Sequence, residues 1–359
     1  MFPDREYHHG TIFSPKSFCR IYILLTRFKL KLWTVKGILM RVVQFGAGRI
    51  GKIHARNIAS HPRSTLYGIV DPVEEAGKAL AEQYDTKFME ETDALGDPQV
   101  DAVVIASATN VHADQIERAA SAGKAIFCEK PIDLSLERVE GVVAHLEINP
   151  VPFMLAFNRR FDPNFLAMKS QIEAGAIGGV EMVTILSRDP GAPPVEYIRV
   201  SGGLFRDMMI HDFDIARWLV GEELTAVKAF GSSLVDPLIG AAGDVDTAVV
   251  SLSTDSGKLV SISNSRRASY GYDQRIEVHG TKGMIQAQNV LESTVVTSTE
   301  AGVRSEKPMH FFLERYAAAY RSEWDGFVRL VLDGEGAMPD QHDGLASLRL
   351  AEEASAQVL

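Results

Sequence analysis

Residues 40–51 read MRVVQFGAGRIG. A β-branched apolar run, RVVQFG at 41–46, enters Gly46-Ala47-Gly48-Arg49-Ile50-Gly51, and a helical pattern, GRIGKIHARNIAS at 48–60, leaves it. In that strand–turn–helix setting Gly46 permits a tight turn, Gly48 lets the backbone approach a pyrophosphate, and Gly51 allows close helix–strand packing. The helix N-terminus adds N–H groups and a partial positive charge for the same pyrophosphate. Twenty positions after Gly51, Asp71 ends a second strand pattern, TLYGIVD at 65–71. A carboxylate there accepts hydrogen bonds from the adenosine ribose and repels a 2′-phosphate, which predicts NAD rather than NADP. The competing uses are plain turn formation for the glycines and capping of the next helix by Asp71, before Pro72.

Outward from this stretch the alternation continues: helix at 73–84, strand AVVIAS at 102–107, helix at 111–123, strand AIFCEK at 125–130, helix at 135–147. Continuous apolar strands separated by helical crossovers predict a doubly wound α/β fold, a parallel Rossmann sheet covered on both faces. Ligands bind such sheets at the carboxyl edge of the strands. That edge receives Ser107, Thr109, Asn110 and His112 from one strand end and Glu129-Lys130-Pro131 from another. Asn110 is equally suited to capping the helix behind it. A lysine facing a bound nicotinamide can hydrogen-bond a substrate hydroxyl and favour its deprotonation; a solvated surface lysine is the alternative for Lys130.

Composition narrows the classes. The 359 residues carry 37 Lys+Arg against 47 Asp+Glu, a formal charge of −10, and removing the seven basic and two acidic side chains of residues 1–39 leaves −15 on the rest. An acidic body argues against a nucleic-acid or anionic-membrane surface. At 46% hydrophobic content a chain this long is expected to form two domains. Its two cysteines, Cys19 and Cys128, offer neither a disulfide framework nor a thiolate metal site, and suit a reducing, cytoplasmic setting. The apolar run in residues 1–39 is broken by Arg20, Arg27, Lys29, Lys31 and Lys36, too often to span a bilayer. Residues 1–39 are expected to be a leader outside the core, with translation beginning at Met40.

A second constellation is GGLFRDMMIHDFDIARWLVG, 202–221. Ile210, Phe213, Ile215, Ala216 and Leu219 recur at helical spacing and predict one helix over 204–220. Asp207 and His211, four apart, then share a face, so that the carboxylate can orient the imidazole as a general base. An ordinary ion pair near a helix start is the bland reading. Asp207, His211 and Asp212 lack a further ligand set, so no metal is expected.

GAGRIGKIHARN, Glu129-Lys130-Pro131 and GGLFRDMMIHDFD, in that order, resemble the Gfo/Idh/MocA oxidoreductases. The resemblance runs from residue 40 to about 355 and includes AFNRRFDPNF (156–165), SRDPGAPPVEYIRVSGG (187–203), GYDQRIEVHGTKG (271–283) and DGLASLRLAEEA (343–354). It implies a catalytic trio of Lys130, Asp207 and His211, with His211 as base. From the family's inositol dehydrogenases it further implies that Tyr272 and Arg160 face the substrate. Asp189 stands where some relatives carry asparagine, which bears on stereochemical preference. The expected cofactor contacts are Gly46, Gly48, Arg49, Ile50, Gly51, Asp71, Ser107, Thr109, His112, Glu129 and Lys130. The expected substrate contacts are Lys130, Arg160, Asp189, Asp207, His211 and Tyr272.

Past residue 160 the rhythm changes. A helix at 163–175 and the one at 204–220 precede TAVVSLS, KLVSISNSRRA, QRIEVHG and GMIQAQN, whose turns predict hairpins. The expectation is an NAD-binding Rossmann domain at 40–160 and an α+β domain at 161–359, with a large open, mainly antiparallel sheet. The helices at 312–334 and 343–357 are expected to return toward the first domain. The resemblance implies a homo-oligomer, commonly a tetramer, that covers the open sheet. The expected activity is NAD-dependent oxidation of a cyclitol hydroxyl, myo-inositol to 2-keto-myo-inositol first. Another cyclitol or an aldose is the alternative substrate, and a non-catalytic NAD-binding sensor the alternative class.

Overall fold

Short strands with every side chain buried need helices on both sides, and the first half of the chain supplies them. The computed structural model describes residues 39–336 and 338–359, so the leader expectation lies, apart from Leu39, outside the described residues. Strands β1 (Met40–Phe45), β2 (Ser64–Val70), β3 (Lys87–Phe88), β4 (Ala102–Ile105), β5 (Ala125–Cys128) and β6 (Phe153–Leu155) form a parallel sheet in the order β3-β2-β1-β4-β5-β6. Helices α1 (Arg49–Ser60), α2 (Glu74–Gln83), α3 (Glu91–Gly96), α4 (His112–Ser121) and α5 (Leu136–Ile148) are the crossovers. Strand order reverses between β1 and β4, so the ligand crevice opens where the glycine turn leaves β1.

Asp162 begins the second half by capping α6 (Pro163–Glu173): its Oδ1 accepts from the Asn164 and Phe165 N–H groups, with Pro163 in the first turn. Six strands follow, β7 (Val180–Arg188), β8 (Leu224–Ser232), β9 (Thr247–Thr254), β10 (Leu259–Ser265), β11 (Asp273–Gly280) and β12 (Gly283–Ala287), ordered β12-β11-β7-β10-β9-β8. β7 and β10 run parallel and every other neighbouring pair is antiparallel. Helices α7 (Val195–Ser201), α8 (Ile210–Val220) and α9 (Pro237–Ala241) lie between them in sequence. Phe213, Ile215 and Leu219 of α8 pack on Val183, Val250 and Ile262 of the sheet. Met182, Phe230, Val249, Leu259 and Met284 are exposed on its strands. A hairpin, β13 (Val296–Thr299) and β14 (Gly302–Ser305), precedes the last helices.

The helix expected over 312–334 is two, α10 (Phe312–Arg315) and α11 (Ala317–Asp333), separated at Tyr316. Trp324, Phe327, Val328 and Val331 of α11 enter the core on one face of the Rossmann sheet, and the Trp324 indole donates to Ser64 Oγ at 3.0 Å. α12 (Gln341–Val358) places Leu348 in the core on the opposite face and Leu350, Ala351 and Ala354 in the core under the second sheet. Among the described residues no helix is long and apolar enough to cross a membrane.

Candidate active site

The glycine turn is fixed by sterics. Gly46 has φ +104°, and a Cβ on it would lie 2.3 Å from the Ala106 carbonyl oxygen; a Cβ on Gly51 would lie 2.2 Å from the Gly46 carbonyl. A Cβ on Gly48 would meet nothing within 4 Å, so that glycine borders open space at the start of α1. Gln44, buried in β1, donates to the Gly46 and Gly51 carbonyls at 2.8 Å each and pins the turn from beneath. Asp71, just beyond β2, accepts from the Ala47 N–H at 2.6 Å and from the Val73 N–H at 2.8 Å, and so joins the turn to the start of the next helix. This cradle, with two glycines clamped and the third open, fits a dinucleotide pyrophosphate. Arg49 is exposed at its rim, while Ile50 packs partly into the core.

At the neighbouring strand ends, Ser107 is half-buried and donates to Gln115 Oε1 at 2.6 Å, and Thr109 opens a short 3₁₀ turn. Asn110 is exposed and caps neither that turn nor α4. His112, an expected cofactor contact, turns its ring inward. It is 1% exposed, with its ring nitrogens 2.9 Å from the Pro131 carbonyl and 3.2 Å from the Ser107 carbonyl. It ties two loops together, and burial draws its pKa down. Glu129 faces α1, its carboxylate 2.7 Å from Nε2 of the buried His54.

Lys130 Nζ donates to the Asp207 backbone carbonyl at 2.8 Å and to Asp207 Oδ1 at 3.3 Å. Asp207 also accepts from the Tyr197 hydroxyl at 3.0 Å and from Arg266 Nη2 at 3.4 Å. Burial works against its charge, but Lys130, Arg266 and the Tyr197 hydrogen bond hold its carboxyl below the usual range. Burial, with the Asp207 charge behind it, pushes the Tyr197 phenol up, so it stays a donor. Arg266 also reaches Asp189 at 3.5 Å. Burial, opposed by Arg266 and helped by Asp207, pushes the Asp189 carboxyl up to about 6.

Asp207 and His211 do not form the predicted one-face pair. Gly202 and Gly203, at φ +86° and +76°, lead into a π-helical turn at Leu204–Met209, and α8 begins only at Ile210. The hydrogen bonds of Asp207 go to Lys130, Tyr197 and Arg266, and none joins it to His211 among the described residues. The Asp244 carboxylate receives the Leu204 N–H and occupies the space that a Cβ on Gly203 would need. His211 Nδ1 is buried without a partner. Burial first, then the positive charges of Lys130 and Arg159, depress the imidazole pKa well below its ordinary value, so the ring is neutral at pH 7.

Arg160, an expected substrate contact, is paired with carboxylates away from the Asp207 hub. Arg160 turns to Asp214, at 2.5 and 2.9 Å, and to Asp343 at 2.8 Å. Arg159 pairs with Asp212 in a buried contact, donates to Ser187 Oγ at 3.1 Å, and bears electrostatically on His211, Asp189 and Tyr272. The two arginines follow each other in a 3₁₀ turn, Asn158–Phe161, so their side chains diverge. Tyr272 is buried with its ring against Tyr316, centroids 6.0 Å apart, and burial keeps it a phenol. Arg159, Tyr197 and Arg266 belong to this polar cluster but were not singled out in the sequence, and Asp212 was weighed there only as a metal ligand. Arg159 stood beside a named residue, and Arg266 follows the strand pattern of SISNS, whereas nothing near Tyr197 set it apart. Among the described residues no group of three His, Cys, Asp or Glu side chains could hold a metal.

Known proteins match both halves of the chain. Residues 40–157 match the oxidoreductase family with an NAD-binding Rossmann fold, and residues 165–286 match the GFO/IDH/MocA C-terminal domain. The inositol 2-dehydrogenase of Rhizobium meliloti is 49% identical over 86% of this chain and 94% of its own. The crystal structure of a myo-inositol dehydrogenase from Corynebacterium glutamicum superposes with a TM-score of 0.86 at 40% identity, over 89% of this chain and 97% of that one. The structure of scyllo-inositol dehydrogenase from Lactobacillus casei, holding NAD(H) and scyllo-inositol, gives 0.83 at 31% identity over the same shares. With both halves matched and relatives covered almost end to end, this chain belongs to the Gfo/Idh/MocA family of oxidoreductases.

Proposed function

We propose that the protein oxidises a ring hydroxyl of an inositol with NAD, converting myo-inositol to 2-keto-myo-inositol. The observation that carries the reading is the gathering of Lys130, Asp207 and His211, from β5 and the segment before α8, at the edge of the sheet that bears the glycine cradle. Bound NAD supplies the hydride acceptor. Two donors of the Lys130 ammonium are held by Asp207, which leaves a third for the substrate hydroxyl and a positive charge for the developing alkoxide. His211, neutral because of burial and its cationic neighbours, takes the hydroxyl proton on Nε2, the ring nitrogen that is not sealed in the core. Asp207 positions Lys130 rather than the imidazole. Asp189, Tyr272 and Arg159 surround the remaining ring hydroxyls, and Asp71 selects NAD over NADP by repelling a 2′-phosphate.

The protein works in this reading as a homo-oligomer, a tetramer, in the cytoplasm. The exposed apolar side chains of the second sheet, Phe230 at 79% and Leu259 at 54% among them, favour a covering copy, and the buried thiol of Cys128 favours a reducing compartment. The deciding experiment is NADH formation over a panel of myo-inositol, scyllo-inositol, other cyclitols and aldoses. Turnover of inositols above aldoses is expected. A strong aldose preference rejects the substrate, and tight NAD binding with no turnover on any polyol turns the reading toward a sensor.

A further inference from the structure

Arg160, displaced from the substrate cleft, lines a cavity of about 480 Å³ with Trp218, Arg321, Ser322, Asp325 and Arg329, closed on its apolar side by Phe161, Leu166, Met338 and Pro339. It shares no residue with the cleft described above. Among the described residues the lining charge without a counter-ion is that of Arg321. Asp325 is already engaged, by His61 Nε2 at 3.3 Å and by Arg329 Nε at 3.0 Å. Arg160 spends Nε and Nη2 on Asp214 and Asp343 and leaves Nη1 without a partner among the described residues. Arg321 forms no hydrogen bond or ion pair among the described residues. Three guanidinium heads therefore line the cavity, Arg160 held by Asp214 and Asp343, Arg329 by Asp325 and Arg321 with its charge uncountered, beside a serine hydroxyl and an apolar wall of the indole with Phe161, Leu166 and Met338. Guanidinium forks match the oxygens of phosphate groups in charge and geometry, and a wall of this kind accepts a flat ring.

We propose that this cavity binds a small organic phosphate, a monoester whose phosphate meets Arg321, Arg329 and the free nitrogen of Arg160 while a planar apolar group lies against Trp218. The site is separate from the NAD and inositol cleft, and the inference does not depend on the proposed reaction.

Trp218 provides the readout. Of the three tryptophans, Trp324 is 1% exposed in the core, and Trp218→Phe identifies the cavity signal. Phenyl phosphate, titrated into the full-length protein saturated with NAD, is expected to change tryptophan fluorescence saturably, and the change should vanish in Trp218→Phe. Arg321→Ala with Arg329→Ala should weaken the apparent Kd by about ten- to a hundred-fold, as loss of charge-assisted hydrogen bonds requires. Phenol at the same concentrations should give no saturable change, and inorganic phosphate should displace phenyl phosphate. Arg321→Ala alone, which breaks no hydrogen bond or ion pair among the described residues, carries the test if the double variant fails to fold. The proposal is overturned by the absence of a saturable signal, by a signal that survives the arginine substitutions or Trp218→Phe, by equal binding of phenol, or by competition between phenyl phosphate and NAD.

Discussion

The glycine cradle and the polar hub around Asp207 sit at the same sheet edge but are held by different forces. The cradle is a steric object: a span of eight residues, Gln44 to Gly51, is fixed by two buried amide hydrogen bonds and by close backbone contact within the span and with Ala106. The hub is an electrostatic object, assembled from Lys130, Tyr197, Asp207 and Arg266, which are far apart in the chain. Steric fits fail abruptly when a single atom is added. Charge networks fail by degrees, because the remaining partners rearrange around a lost one.

This difference is broken most directly at His211. His211→Ala is expected to lower kcat by about 10²–10⁴-fold, the usual contribution of a general base, while the Kd for NAD stays unchanged. Stopped-flow turnover with calorimetric NAD titration checks both halves. A variant that turns over at nearly the native rate removes His211 from its role.

The cradle should give the reverse pattern. Gly51→Ala places a Cβ against the Gly46 carbonyl, and the resulting displacement should cost about 1–3 kcal/mol, or roughly a ten- to hundred-fold loss of NAD affinity. Its kcat at saturating NAD should stay within a few-fold of native. Gly48→Ala is the control, since its Cβ meets no protein atom and any weakening it causes must come from the ligand.

A sharper comparison lies in two adjacent residues. Arg159 and Arg160 each face a buried aspartate, and Arg→Gln at either should lower the melting temperature by leaving that carboxylate unpaired. Only Arg159→Gln should also reduce kcat/KM for inositol, several-fold, because only Arg159 bears on His211, Asp189 and Tyr272. Equal losses of kcat/KM at both positions would restore Arg160 to the cleft.

These residues show what was legible beforehand. The cradle could be read from the chain because its physics is local: a turn, a close approach and a helix start lie within a dozen residues. β9 to β12 were equally open, as alternating runs joined by turns. The strands β7 and β8 were not named, although Gly178-Gly179 and Asp189-Pro190-Gly191 bracket EMVTILSR, because neither strand pairs with its neighbour in sequence through a short turn as the hairpin strands do. Asp207 and His211 were found, but their relation was misread: spacing along one helix does not show that Lys130 and Arg266, from other segments, take the Asp207 carboxylate. Arg159 could not be told from Arg160 without the 3₁₀ geometry that separates them. Tyr197 and Arg266 join the hub through long-range packing that no local pattern announces.

The smallest effect expected belongs to Asp189, at the margin of the hub. Burial raises its folded pKa to about 6, with Arg266 opposing and Asp207 adding to the shift. Between the unfolded value near 4 and the folded value, the native protein keeps a proton that the unfolded chain has lost. Stability attributable to this group therefore falls as pH rises from about 4 to about 6 and is level above that. Asp189→Asn removes the titration, so the melting temperature of the variant should depend less on pH across this window than that of the native protein. An undiminished slope would mean that Asp189 is ionised throughout, held by Arg266 more strongly than the 3.5 Å contact implies. In the same variant kcat/KM should lose its inflection near pH 6 if the carboxylate contacts a ring hydroxyl. If the inflection persists, the group that titrates there belongs elsewhere in the cleft, and Asp189 serves to balance the charge of Arg266.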